Sequence, residues 1–144
     1  MTRTAVVRGT RLLVLAGVAA LQYGCGTLKY TVPSSAIAPG ADAKVTADVK
    51  KRQGQTILEV EAVNLMPPHR VDASGAQYIA WYRPNSDGQW SRIGTLEYDE
   101  DDRRGSLNGS VPEVAFDFQI SVEPETPPAS PSPQVLFRQR VQKE

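Results

Sequence analysis

Residues 115–123 read AFDFQISVE, with Phe116, Phe118, Ile120 and Val122 at every second position and Asp117, Gln119, Ser121 and Glu123 between them. Strict alternation of this kind marks a strand with one buried face. The apolar set is expected to point into a core and the polar set to point out. The same pattern recurs upstream. Val45, Ala47 and Val49 alternate with Lys44, Thr46, Asp48 and Lys50, and Leu58, Val60 and Ala62 alternate with Glu59 and Glu61. Between those two runs, Lys51-Arg52-Gln53-Gly54 supplies turn chemistry. Residues 77–83 (QYIAWYR) are aromatic and β-branched, which predicts a buried strand. A hairpin turn at 84–88 (PNSDG) leads into the next expected strand, 90–98 (WSRIGTLEY). The charged segment 99–104 turns the chain, 105–110 is a short strand, and 134–141 is the last.

Two proline-bearing segments punctuate these strands. Residues 66–75, with Pro67 and Pro68, are expected to form a loop, because proline removes a donor and fixes φ. Residues 124–133 (PETPPASPSP) are expected to form an extended, solvated loop. No segment sustains a helical period. About seven short strands separated by turn signals predict an Ig-like antiparallel β-sandwich over residues 44–144. Trp81 is a candidate for the centre of its core.

The composition narrows the function. The chain has 144 residues, with sixteen Lys+Arg balancing sixteen Asp+Glu, so no basic surface recommends a nucleic-acid partner. A single His and a single Cys exclude a His/Cys metal cage and an internal disulfide. No metal and no cofactor are expected.

The first residues read as an address. Arg3, Arg8 and Arg11 precede ten uncharged residues, 12–21 (LLVLAGVAAL), and no acid interrupts them. A basic segment followed by a short apolar one predicts a signal peptide over residues 1–24. The uncharged stretch 12–28 is at the short edge of what crosses a bilayer. Cys25 follows directly, behind Gly24. Residues 21–25 (LQYGC) resemble the lipobox of bacterial lipoproteins, in which a small residue precedes an acylated cysteine. Gln22 stands where that pattern has an aliphatic residue. The resemblance implies lipid on Cys25, anchorage to a membrane, and a cell-envelope location, facing the periplasm or the outer surface. From Cys25 onward thirteen Lys+Arg meet sixteen Asp+Glu, so acyl chains rather than charge would hold the protein to the membrane. Residues 25–43, rich in small residues with Pro33, Pro39 and Gly40, are expected to form a flexible tether. The alternative is a first short strand at 28–32.

A second resemblance covers residues 77–137. Trp81 in its strand, Gly94-Thr95-Leu96, the run Phe118-Gln119-Ile120-Ser121-Val122-Glu123-Pro124, then Pro131-Ser132-Pro133 and Val135-Leu136-Phe137 follow in an order similar to the extracytoplasmic C-terminal domain of anti-sigma-K-type factors. That resemblance implies a sandwich outside the cytoplasm. It does not imply sigma-factor inhibition, because the eleven residues before the apolar run hold no His or Cys and are too few for a helical sigma-binding domain.

Candidate sites are few. The acidic tip at 97–102 offers carboxylates, yet lacks the spacing of a calcium loop and has Arg103 and Arg104 beside it. His69 is the sole imidazole, with Asp72 and Ser74 nearby, but no nucleophile elbow surrounds Ser74. Tyr78 and Tyr82 share one face of their strand, opposite Trp81, and form a possible binding surface for a sugar or peptide. If Trp81 and Trp90 fill the core, those tyrosines flank an edge. The chain is therefore expected to be a non-enzymatic envelope lipoprotein whose sandwich binds a protein partner. The alternatives are a carbohydrate- or peptidoglycan-binding module using exposed aromatics, and a sensory domain related to anti-sigma factors.

Overall fold

Alternating apolar residues build both layers of the structure. The computed structural model describes residues 26–144, and the signal segment 1–24 and Cys25 lie outside them. Among the described residues nine strands follow in order: β1 (Thr27–Pro33), β2 (Asp42–Lys50), β3 (Gln55–Val63), β4 (Gln77–Arg83), β5 (Ser91–Thr95), β6 (Glu97–Asp99), β7 (Arg104–Val111), β8 (Phe116–Glu123) and β9 (Val135–Val141). They form a five-stranded sheet in the order β1-β2-β3-β7-β6 and a four-stranded sheet in the order β5-β4-β8-β9. Every pairing is antiparallel. Without β1, the neighbour relations β2-β3-β7-β6 and β4-β8-β9 reproduce the A-B-E-D and C-F-G sheets of an immunoglobulin-type sandwich, with β5 added beside the C position. The fold is the expected antiparallel β-sandwich, with two more strands than the sequence suggested.

The core lies between the sheets. Val45, Ala47, Leu58, Val60 and Ala62 enter it from one side, and Phe116, Phe118, Ile120, Val122 and Phe137 from the other. The alternation of β2, β3 and β8 is therefore used as the sequence predicts.

Four expectations need correction. The segment 25–43 is not a tether where it is described. Thr27–Pro33 pairs with Asp42–Lys50 along its whole length, and Leu28, Tyr30 and Val32 face the core. Between these strands Ala38 and Ala41 are buried, close-packing the connection. Their small side chains carry little hydrophobic signal, which is why the segment reads as a linker. The 66–75 loop contains a single helical turn, α1 (Pro68–Val71). Pro68 is at its start, where the missing N–H costs no bond. The segment 90–98 is not one strand but two. It leaves the four-stranded sheet after Thr95 and joins the other at Glu97. Leu96 is buried at the crossing, and its N–H donates to the Tyr78 carbonyl at 2.9 Å.

Trp81 is the fourth. It is buried, but on the outer face of its sheet and not in the core between the layers. In β4 the inward parity belongs to Tyr78, Ala80 and Tyr82. Both parities of this strand are apolar, so alternation could not choose between them.

Gly75 ties the α1 turn to the four-stranded sheet. A Cβ there would lie 2.8 Å from both the Pro68 carbonyl carbon and Val122 Cγ2. Backbone on one side and a core strand on the other leave no room to yield. Gly75→Ala is expected to cost about 1–3 kcal/mol, the usual price of overpacking. Urea denaturation measures it, and an unchanged midpoint would contradict the close approach.

Candidate functional site

The outer face of the β5-β4-β8-β9 sheet carries most of the unusual chemistry. Strand register lays its residues out in rows. Arg83, Asp117 and Arg140 are cross-strand neighbours on β4, β8 and β9. One step along lie Trp81, Gln119 and Arg138. The next step holds Ile79, Ser121 and Val135. These are the positions between the inward residues of β8, so the register that buries four apolar side chains also sets this array.

In the first row Asp117 joins two guanidiniums. Its Oδ2 lies 2.9 Å from Arg83 Nε and its Oδ1 lies 3.2 Å from Arg140 Nη1. Arg140 Nη1 also donates to the Pro84 carbonyl at 2.9 Å. Arg83 Cζ sits 4.5 Å above the Trp90 ring centroid, a cation–π contact that fixes the indole at the rim. In the second row Arg138 is exposed and has no ion-pair partner among the described residues. Gln119 is 2% exposed, and its Oε1 accepts no hydrogen bond among the described residues. Such an orphaned polar atom is uncommon and calls for a reason.

Around the third row the proline-rich loop supplies partners, although Glu123 Oε2, like Gln119 Oε1, is buried with none among the described residues. Trp81 Nε1 donates to Ser121 Oγ at 2.9 Å, and Ser121 Oγ donates to Glu123 Oε1 at 2.6 Å. The same Oε1 accepts the Ser132 N–H at 2.7 Å. Ser132 Oγ donates to the Val122 carbonyl at 2.9 Å, and the Val122 N–H donates to the Gln134 carbonyl at 3.0 Å. Residues 124–133 therefore double back over the sheet and latch onto Glu123. This explains why Ser121 and Glu123, expected to face solvent, are buried; Gln119 is buried too but borders a groove. Ser121 and Glu123 do point out of the core, but a second layer covers them.

Between the latched loop and the Arg83–Trp90 contact runs an open groove of about 730 Å³. Gln119 and Asp117 lie along it, Arg138 and Arg140 form one side, and Pro131 and Pro133 close one end. Three guanidiniums against one carboxylate leave it positively charged at neutral pH. Its size falls within the usual ligand-site range of roughly 300–1,000 Å³.

The tyrosine surface expected from the sequence does not form. Tyr78 is fully buried, donates to the Met66 carbonyl at 2.5 Å, and packs edge-on to Tyr98 with ring centroids 5.7 Å apart. Burial first, and then the neighbouring Tyr98, push its phenol pKa well above the ordinary value. Tyr82 is half-buried and edge-on to Phe116 at 6.2 Å. Neither presents a ring to a ligand, because the core takes their face of β4. Trp90 is the aromatic that the groove uses.

The other candidates are engaged elsewhere. Ser74 Oγ donates to Asp72 Oδ1 at 2.6 Å, and the Ser74 N–H donates to the same oxygen at 2.9 Å. Those bonds, the hydroxyl's first, hold the Asp72 carboxyl below its usual pKa. His69 is exposed, and the Ser74 hydroxyl proton goes to Asp72 rather than to the imidazole. At the acidic tip, Asp99 Oδ1 accepts the N–H groups of Asp101 and Asp102 at 3.0 and 3.2 Å, which is turn capping. Arg104 leaves the tip to pair with Glu61 at 3.0 Å.

Comparison of the chain with protein-family models, curated proteins and solved structures found no match. No helix among the described residues is long and apolar enough to cross a membrane.

Proposed function

We propose that this protein is an exported cell-envelope lipoprotein, acylated on Cys25, whose β-sandwich is a non-catalytic binding module. The observation that carries the binding role is the groove, with its positive rim, fixed indole and orphaned buried carboxamide. The residues lining it are suited to holding a ligand: guanidiniums, an amide, an indole and hydroxyls. The mooring rests on the basic, apolar and cysteine order of residues 1–25.

The position of β1 changes what such a mooring does. Thr27 begins the sheet two residues after Cys25, and two residues span at most about 7 Å. A lipid on Cys25 therefore seats the sandwich directly against the bilayer instead of suspending it on a leash. Cys25→Ala is expected to move the protein from the membrane to the soluble envelope fraction. Unchanged fractionation would overturn the lipid anchor. A photocrosslinker at position 138 of the membrane-bound protein is expected to give an envelope adduct, and one at position 104 on the other sheet is not. Equal labelling at both would remove the groove as the binding face.

Binding of a glycan is the second reading, with Trp90 in place of the tyrosines. A sensory role related to anti-sigma factors is a third, favoured by one feature. Three of the segments that carry that resemblance, 118–124, 131–133 and 135–137, meet around the Glu123 latch, with Trp81 bonded to Ser121 beside it; Gly94-Thr95-Leu96 does not take part in those bonds. A sigma-factor or anti-sigma gene beside this one would support it, and its consistent absence would count against it.

A further inference from the structure

The groove has a chemical signature specific enough to name a ligand class. Arg138 and Arg140 are two residues apart on an edge strand, so their side chains leave the same face of the sheet, with Arg140 held toward Asp117 and the Pro84 carbonyl. Asp117 neutralises only part of the charge, because it is shared between Arg83 and Arg140. Arg138 is left to receive an oxyanion, for which a planar guanidinium is the best side-chain partner. The Gln119 carboxamide lies beside it, nine-tenths buried and more, with one atom unbonded among the described residues. A half-turn about its terminal χ angle exchanges oxygen and nitrogen, so it can meet a hydroxyl as donor or acceptor. Trp90 offers an amphipathic ring on the opposite rim.

A peptide fits this site poorly. The floor is the outer face of β8, whose backbone groups are spent in the ladders to β4 and β9, so no strand can be added across it. The groove's apolar residues, Trp90, Pro131, Pro133 and Val135 among them, share it with three guanidiniums, a carboxylate and a carboxamide, so polar contacts dominate. A hydroxyl-rich ring with a negative group matches each feature in turn.

We propose that the groove binds a carboxylate-bearing glycan, with Arg138 and Arg140 on the carboxylate, Trp90 against a sugar ring and Gln119 bonded to a hydroxyl. The proposal rests on the reading of the sandwich as a binding module and deepens it to a ligand class. Two sources of such a carboxylate in a cell envelope are a uronic acid polymer and the lactyl group of muramic acid in glycan strands freed of their stem peptides.

Calorimetric titration of the full chain in detergent separates them. One arm uses trigalacturonate and its methyl ester, and the other uses a muramic-acid-containing disaccharide and its methyl ester. Binding of one acid is expected, with its ester weaker by about tenfold or more. Arg138→Gln is expected to weaken the acid by a similar factor, and Trp90→Ala by about three- to tenfold. Arg104→Gln, on the other sheet, leaves the affinity unchanged. Acid and ester binding alike, inorganic phosphate binding as tightly as the sugar acid, or neither acid binding would each overturn the proposal. A groove crosslink in the envelope without sugar-acid binding would leave the module and remove the glycan. The converse result would locate the failure in the crosslinking reading.

Discussion

Phe118→Ala is expected to cost about 3–5 kcal/mol. Phe118 is 1% exposed and sits in β8, an interior strand flanked by Tyr82 of β4 and Gln139 of β9. Truncation removes an aromatic ring from the contact between the two sheets, and the strands on either side hold the cavity open. A small domain is stable by only about 5–15 kcal/mol, so this single change takes a large share of the whole. Urea denaturation followed by tryptophan fluorescence measures it. The expected result is a midpoint displaced far toward low urea, or a protein unfolded without denaturant. A loss below about 1 kcal/mol would mean that position 118 does not face a packed core.

Glu123→Ala is expected to have the next largest effect, for a different reason. The Glu123 carboxylate is fully buried and accepts from both Ser121 Oγ and the Ser132 N–H. Its removal leaves two donors without an acceptor, each worth about 1–3 kcal/mol if it stays buried. The cheaper response is for residues 124–133 to lift away and hydrate. The variant is expected to lose about 2 kcal/mol or more of stability. Its Ser132 amide is expected to exchange with solvent far faster, and the loop to become sensitive to proteases. Glu123→Gln keeps one acceptor oxygen and should fall between the two. If the alanine variant kept a protected Ser132 amide, the latch would not be what holds the loop.

These two side chains show where sequence reasoning works and where it stops. Phe118 was legible because β8 alternates cleanly, and one parity of an alternating strand has to be buried. Glu123 belongs to the same strand, and the alternation predicts that it faces solvent. It does point away from the core, yet a loop ten residues long covers it, and no local pattern announces where such a loop lies. The Ser and Pro content of 124–133 signals extension but not direction. β4 failed for a related reason. Ile79 and Trp81 are as apolar as Tyr78 and Ala80, because a covered outer face needs apolar residues too. The pattern therefore does not tell that the tyrosine pair faces the core and the Trp81 indole faces outward.

The remaining differences also have local causes. β1 matches the alternative short strand at 28–32 rather than the tether, which the sequence favours because Ala38 and Ala41 are weakly hydrophobic one at a time, although together they are small enough to let the connection pack tightly. The switch of sheets at Leu96 sits inside an otherwise strand-like run, where the lone Gly94 two residues earlier is too weak a signal to mark it. The groove was only partly visible. Arg83, Asp117, Arg138 and Arg140 are ordinary surface charges in a linear reading, and only the antiparallel register makes them neighbours.

Mass spectrometry of the protein purified from its own membranes decides whether the sandwich is moored at residue 25. The expected species begins at Cys25 and carries the added mass of thioether-linked diacylglycerol. An unmodified polypeptide still beginning at Met1 would contradict it.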